Sequence, residues 1–244
     1  MVEVTEFKRQ LVKQERLLNN LAEQMKLPLL QIARLAELSQ LDRVNSQVSL
    51  ANIEVTAEGA LKLLDNYLLS IKLAGMTGKL QLEPVSVSAA LQSTAHELTK
   101  LAQQSDCELQ LHLSGRYEPV MAHQAGLEAA LICLGYAFIE SQPKSENDTK
   151  PVIKLAAHRG KQGIVAGLFT GADDNFNATM YRRGRGLYGH AIQPLANFMA
   201  SSGAGVFVAD SLLTSMSAKL RVAHHQKFAG LAATLRPSKQ MVLV

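Results

Sequence analysis

A run of arginines and glycines near position 185 is the part of this sequence best suited to chemistry. It reads Arg182, Arg183, Gly184, Arg185 and Gly186, and the pattern that follows from Leu187 to Ser201 predicts a helix. Backbone amides at a helix N-terminus attract phosphate, and guanidinium groups add positive charge. The run is therefore a candidate phosphate-binding loop. The alternative is a solvated basic loop.

Other residue types that carry chemistry are less well placed. Cys107 and Cys133 each lie in an apolar pattern, which indicates buried free thiols. His224 and His225 are adjacent, but no third ligand stands at a defined metal spacing, so we interpret them as solvated loop residues. The sequence has no Gly-x-Ser-x-Gly motif. We therefore expect no catalytic residue, no metal and no cofactor.

The N-terminal segment must be held by partner helices. Its apolar seam alternates steps of three and four residues through Val4, Phe7, Leu11, Gln14, Leu18, Leu21, Met25, Pro28, Ile32 and Leu35. This predicts a helix from Val4 to Leu41, a turn from Asp42 to Ser49, and a second helix, capped by Ser49 or Asn52, that ends near Ala74. Two such hairpins form a four-helix bundle, so we expect a homodimer. The alternative is that both helices pack on their own chain.

The remainder of the chain changes to mixed periodicity after the glycine-rich break at Gly75–Gly78. The two predicted domains are a helical hairpin at 1–76 and an α/β sandwich at 79–244. The pattern predicts an α+β fold with helices on one face of a mixed sheet. Its segments are strands at Leu80–Val85, Cys107–Leu113 and Val120–Met121, helices at Leu91–Leu101 and Ala125–Ser141, a hairpin at Val152–His158 and Ile164–Phe169, the helix Leu187–Ser201, and strands at Gly205–Ala209, Ala218–Ala223 and Gly230–Leu235.

The first helix contains a segment, Leu21 to Leu29, that resembles the phospho-acceptor segment of sensor histidine kinases, Ser-His-Glu-Leu-Arg-Thr-Pro-Leu. Met25, Lys26, Pro28 and Leu29 match its Leu, Arg, Pro and Leu. Glu23 stands where that family has its phosphorylated His, Gln24 replaces the acidic neighbour, and Leu27 replaces the Thr or Asn. The resemblance therefore implies a docking scaffold for a response-regulator receiver, without the acceptor group.

The second domain resembles the ATP-binding domain of the same family, which has the Bergerat fold. The similar segments are Leu82–Val87, Leu127–Ala137, Gly184–Leu187, the turn and strand Gly203–Val208, and the closing strand Gly230–Pro237. By this resemblance Tyr136 holds the place of the magnesium-binding Asn on the first nucleotide helix. Phe169, in the run Phe169-Thr170-Gly171-Ala172-Asp173, holds that of the adenine-binding Asp. Asp173 or Asp174 could supply a carboxylate instead.

The resemblance implies a catalytically degenerate histidine-kinase-like protein, a dimeric adaptor or regulator in bacterial two-component or phosphorelay signalling. One alternative is a histidine phosphotransferase, but residues 1–74 contain no histidine. The other is a pseudokinase sensor that binds nucleotide with altered ligands.

Composition sets the outer limits of this interpretation. The formal charge of +4 over 244 residues does not indicate nucleic-acid binding. No apolar run reaches the roughly 18 residues of a membrane span, and the charged N-terminus lacks a signal-peptide core. We expect a cytoplasmic protein without membrane or nucleic-acid partners.

Overall fold

The computed structural model describes residues 25, 29–40, 46–76, 80–113, 115–142, 150–171, 177–182 and 201–238. Within them, six helical segments and seven strands follow one another. The helical segments are α1 (29–40), α2 (Ser46–Gly75), α3 (Val87–Gln104), α4 (Gln124–Glu140), α5 (177–182) and α6 (Ser201–Ser215). The strands are β1 (Glu83–Val85), β2 (Glu108–Leu113), β3 (Val120–Ala122), β4 (Val152–Gly160), β5 (Gly163–Thr170), β6 (Lys219–His225) and β7 (Phe228–Leu235).

The central sheet has five strands in the order β2-β4-β5-β7-β6. β2 runs parallel to β4, and the other pairs are antiparallel, so the predicted mixed sheet is confirmed. The turn between β4 and β5 requires a glycine, because Gly163 has φ +142° and a Cβ there would run into the Leu235 carbonyl oxygen. β1 and β3 form a separate two-stranded sheet.

The helices α3, α4 and α6 cover one face of the large sheet, as the sequence predicts. Leu155, Leu168 and Leu231 point into the main core from three adjacent strands. Two helix starts have side-chain caps that satisfy a free backbone amide. Ser86 Oγ accepts a hydrogen bond from the Ala89 amide before α3, and His123 Nδ1 accepts one from the Gly126 amide before α4.

The helix α2 forms a third layer on the helical side of the sandwich. Its second half packs on α4 and α6, and Tyr67 and Leu73 are buried in the main core. α2 begins at Ser46, so Ser49 and Asn52 lie inside the helix and the predicted caps there are wrong. The described part of the first helix, 29–40, is helical as expected, and residues 4–24 lie outside the described ranges. No helix within the described ranges is both long and apolar enough to cross a bilayer.

One predicted strand is a helix in the structure. Gly205 to Ala209 lies within α6, and Val206, Phe207 and Val208 are all fully buried there. A short, continuously apolar run is equally compatible with a buried strand and a buried helix, because the side chains are covered on every side in either case. The segment Gly203–Val208 is therefore the beginning of the last helix and not a turn and strand. Most of the predicted helix Leu187–Ser201 lies outside the described residues.

Candidate functional site

The junction of α2, α4 and α6 is the candidate site, because α4 carries Tyr136, the predicted counterpart of the magnesium ligand, and contacts both other helices. On α4, Cys133 and Tyr136 point toward α2. Burial raises the pKa of the Cys133 thiol to about 12, and the neighbouring Asn66 side chain offsets part of that rise. A thiol that stays protonated at neutral pH is neither a nucleophile nor a metal ligand.

Tyr136 occupies the predicted magnesium position on α4, and its side chain is buried against α2. Its ring packs on Gly59 of α2, where a Cβ would lie 3.3 Å from Cε1. Burial raises the pKa of the Tyr136 phenol to about 12, with smaller contributions from carboxylates that include Glu97 and Glu58. A neutral phenol in this position is a poor ligand for a hard divalent cation.

Two ion pairs join α2 to α3. Lys62 Nζ lies 2.9 Å from Glu97 Oε1, and Lys100 Nζ lies 3.3 Å from Glu58 Oε2. All four side chains are substantially exposed, so each pair contributes little to stability. The pairs place a lysine beside Glu97 and beside Glu58, two of the carboxylates that contribute to the raised pKa of Tyr136.

At Gly205 the contact between α4 and α6 is too close to admit a ligand. A Cβ at Gly205 would lie 2.5 Å from the Cys133 carbonyl oxygen and 3.1 Å from the Ala137 Cβ. The backbone of α6 therefore rests directly on that of α4, which only glycine permits.

Polar groups are buried where α2 joins the sandwich. Tyr67 Oη, Ser70 Oγ and Ser211 Oγ have no hydrogen-bond partner among the described residues, although all three side chains are at most 1% exposed. Burial also raises the pKa of Tyr67 far above its usual range. Each unsatisfied hydroxyl opposes docking by about 1–3 kcal/mol, so apolar neighbours such as Leu73 must supply the attraction.

The remaining predicted site residues fall into two groups. Phe169 and Gly171 are described, and Phe169 is fully buried on the sheet face opposite the helices. Gly171 is exposed after β5, and a Cβ there would meet only Phe228 at 3.8 Å. The other residues lie outside the described ranges; they are Glu23, Gln24, Lys26, Leu27, Pro28, Asp173, Gly184, Arg185 and Gly186. Their roles stay predictions.

The structure brings together three histidines that the sequence does not connect. His225 Nε2 lies 2.5 Å from His112 Nδ1, and His225 Nδ1 lies 3.3 Å from His158 Nδ1. We call this arrangement the three-histidine chain. His225 belongs to β6 and is 5% exposed, so its interpretation as a solvated loop residue is wrong. The described part of the chain holds no group of three or more His, Cys, Asp or Glu arranged for a metal ion.

Comparisons with known proteins bear on the fold. No protein-family model and no curated protein matches the chain. Among solved structures, full-length ShkA in complex with AMPPNP is similar with a TM-score of 0.50 at 16% identity, over 92% of this chain and 46% of that one. The histidine kinase AdeS of Acinetobacter baumannii has a TM-score of 0.49 at 12% identity, over 87% and 96%. A bacterial phosphotransferase has a TM-score of 0.47 at 11% identity, over 90% and 94%.

At such identities the likeness concerns the fold alone, and the similarity to ShkA agrees with the element order described above. The predicted fold is thus confirmed: an N-terminal helical region precedes a mixed sheet with helices on one face. The chain has the fold of a histidine kinase core with its ATPase-type α/β domain.

Proposed function

We propose that this protein is a histidine-kinase-like pseudoenzyme that acts as a dimeric adaptor or regulator in two-component signalling. The observation that carries the proposal is the buried, neutral phenol of Tyr136, which stands where the resemblance places a magnesium-binding Asn, within a histidine kinase core fold. A further support is the absence of histidine from residues 1–74, since phosphoryl transfer needs a nucleophilic imidazole. In this proposal the hairpin at 1–76 mediates assembly and docking, and the domain at 79–244 does not bind nucleotide.

The exposed apolar face of α2 supports dimerisation. Leu50, Leu61 and Leu68 are each about half or more exposed, and their spacing of 11 and 7 residues aligns them on one side of the helix. Asn66, Tyr67, Ser70 and Leu73 lie on the opposite side and are buried against the sandwich. We infer that a second copy of this chain covers the leucine face, since soluble monomers rarely leave such a row in water.

The receiver-docking segment is inferred from Glu23 to Pro28, and two neighbouring leucines support it. Leu29 and Leu30 of α1 are 62% and 61% exposed and directly follow Pro28. Adjacent exposed leucines next to a polar segment fit a surface with an apolar centre and a polar rim. We propose that a receiver domain contacts Leu29 and Leu30 together with this segment.

Nucleotide binding provides the first test. Loss of the adenine carboxylate and of the magnesium bridge weakens binding by about 3–6 kcal/mol, or roughly two to four decades of affinity. Calorimetry with about 1 mM ATP and magnesium should therefore show no saturable binding. A dissociation constant below about 50 µM that Gly186→Val abolishes would contradict the proposal. Asp173 or Asp174 would then be the first candidate for the adenine contact.

Receiver binding provides the second test, with purified receiver domains as ligands for the immobilised full chain. We expect at least one receiver to bind, and the double variant Leu29→Glu with Leu30→Glu to bind at least tenfold more weakly. Leu111→Glu is the matched control, because Leu111 is an exposed leucine on β2. Equal loss in both variants, or binding by neither the wild type nor the control, would contradict the docking proposal.

A further inference from the structure

The large sheet is rolled so far that side chains from its two edge strands are in contact. β2 and β6 are the outer strands of the five, yet His112 of β2 touches His225 of β6. In a flat sheet four steps between strands would separate them by roughly 19 Å. Small residues allow the rolling, since a Cβ on Gly167 would lie 2.5 Å from the Ala232 Cα of the next strand.

The rolled face encloses a second, smaller core. It consists of the fully buried Ala156, Phe169 and Ala232 and the buried Val165. Ala223 and Phe228 pack against these residues. These residues alternate along their strands with the residues of the main core, so they point away from the helices. The three-histidine chain lies at the margin of this core, and the ring centroid of His225 is 5.4 Å from that of Phe169.

The hydrogen-bonding pattern of the three-histidine chain limits how many protons it can bind. Each of its two bridges needs one N–H and one bare nitrogen. Three neutral imidazoles satisfy both bridges, and so does one added proton, because a charged His225 can donate to His112 and His158 at once. With a second added proton, one bridge must have two N–H groups that face each other, and that bridge breaks.

The surroundings of the three-histidine chain also oppose added positive charge. Burial lowers the pKa of His225 most, and His112, His158 and Lys154 lower it further. Burial likewise lowers the pKa of His158. On the same face Lys154 lies over the Phe228 ring, and Glu108 of β2 accepts a hydrogen bond from Gln110. From β6 the charged groups of this face are Lys219 and Arg221, and β5 contributes the apolar Val165 and Phe169.

We propose that the three-histidine chain is an acid-operated clasp between the two edge strands. It holds β2, β4 and β6 together across the rolled face while it is neutral or singly protonated, and it releases them when it takes up a second proton. Release uncovers the second core around Phe169 and frees the edges of β2 and β6. The clasp gives this protein a structural response to acidification that is independent of nucleotide and of receiver binding.

The sign of the pH dependence follows from the lowered pKa values. In the folded protein, the pKa values of His158 and His225 are lowered. In the unfolded protein, both side chains bind a proton at the ordinary histidine pKa of about 6.5. Stability is therefore fully present above that pH and is lost progressively as the pH falls through and below it.

The first test uses unfolding of the full chain in urea at pH values from 8 to 5. The wild type should lose stability with a slope about one proton steeper than His225→Gln, because glutamine keeps a donor and an acceptor but cannot titrate. His96→Gln is the matched control, since His96 is exposed on α3. His96→Gln should retain the wild-type slope. A wild-type slope in His225→Gln would overturn the proposal.

The second test uses only the wild-type protein, so its result does not depend on whether a variant folds. Proton–carbon spectra of the histidine rings in the wild-type chain should show His158 and His225 titrating below about 6.5. Binding of the apolar dye ANS should rise over the same pH interval, as the second core opens. Titration of both His158 and His225 near 6.5, without a rise in dye binding, would overturn the proposal.

Discussion

Replacement of Gly205 by valine probes the close contact between α4 and α6 in the main core. The new Cβ would lie 2.5 Å from the Cys133 carbonyl oxygen, and the obstacle is backbone rather than a flexible side chain. α6 must then move away from α4, and its neighbours Val206 and Phe207 are fully buried and must move with it. Overpacking of this kind typically costs about 1–3 kcal/mol.

The local helix propensity acts in the opposite direction but is smaller. Valine is a better helix former than glycine by only about 0.4 kcal/mol, since its branched side chain loses rotamer freedom. We therefore expect Gly205→Val to lower the free energy of unfolding by about 1–3 kcal/mol. For a chain of this length the melting temperature should fall by about 2–12 °C.

The measurement is thermal or urea unfolding followed by circular dichroism, with Gly171→Val as the matched control. A Cβ at Gly171 meets only Phe228 Cε1 at 3.8 Å, so that variant should stay within about 0.5 kcal/mol of the wild type. Wild-type stability in Gly205→Val would mean that α4 and α6 have room between them. The close approach of the two helices at Gly205 would then be refuted.

Three further predictions concern the hairpin and the candidate site. Leu61→Glu with Leu68→Glu should convert a dimer to a monomer in light scattering at tens of micromolar, whereas Leu111→Glu should not; a monomeric wild type would contradict the dimer. Ser70→Ala should raise the free energy of unfolding by up to about 1–3 kcal/mol, since it removes a buried hydroxyl without a described partner; a loss would reveal a bound water. Tyr136→Phe should reduce the loss of stability as the pH rises from 10 toward 12, because the folded phenol ionises only near 12; unchanged alkaline unfolding would show that Tyr136 is accessible.

Most elements of the sandwich could be read from local pattern. The alternation of apolar residues from Cys107 to Leu113 predicts β2, and the turn signal between His158 and Ile164 predicts the β4–β5 hairpin. These signals are local because a half-buried strand must alternate whatever its neighbours are. The run from Gly205 to Ala209 failed for the converse reason, since residues buried on every side have no periodic signal.

Site residues were less predictable than elements. Gly205 carries no signal in the sequence that separates a helix–helix contact from a turn. Its role depends on how closely Cys133 and Ala137 approach from α4. The sequence likewise could not predict that Tyr67 and Ser70 pack into the sandwich. A heptad seam does not specify whether its partner is the same chain or another. Only the tertiary contact of α2 with α4 and α6 answers that for its second half.

The sequence by itself determined the mixed fold, the order of its elements from β1 to β5, and the absence of a histidine from residues 1–74. These follow from composition and from periodicities that span only a few residues. Tertiary structure alone decided that His112, His158 and His225 meet. They lie on three strands, two of them at opposite edges of the sheet, and only its rolling brings their rings together. Such rolling depends on small residues in several strands at once, and local pattern carries no information about that coincidence.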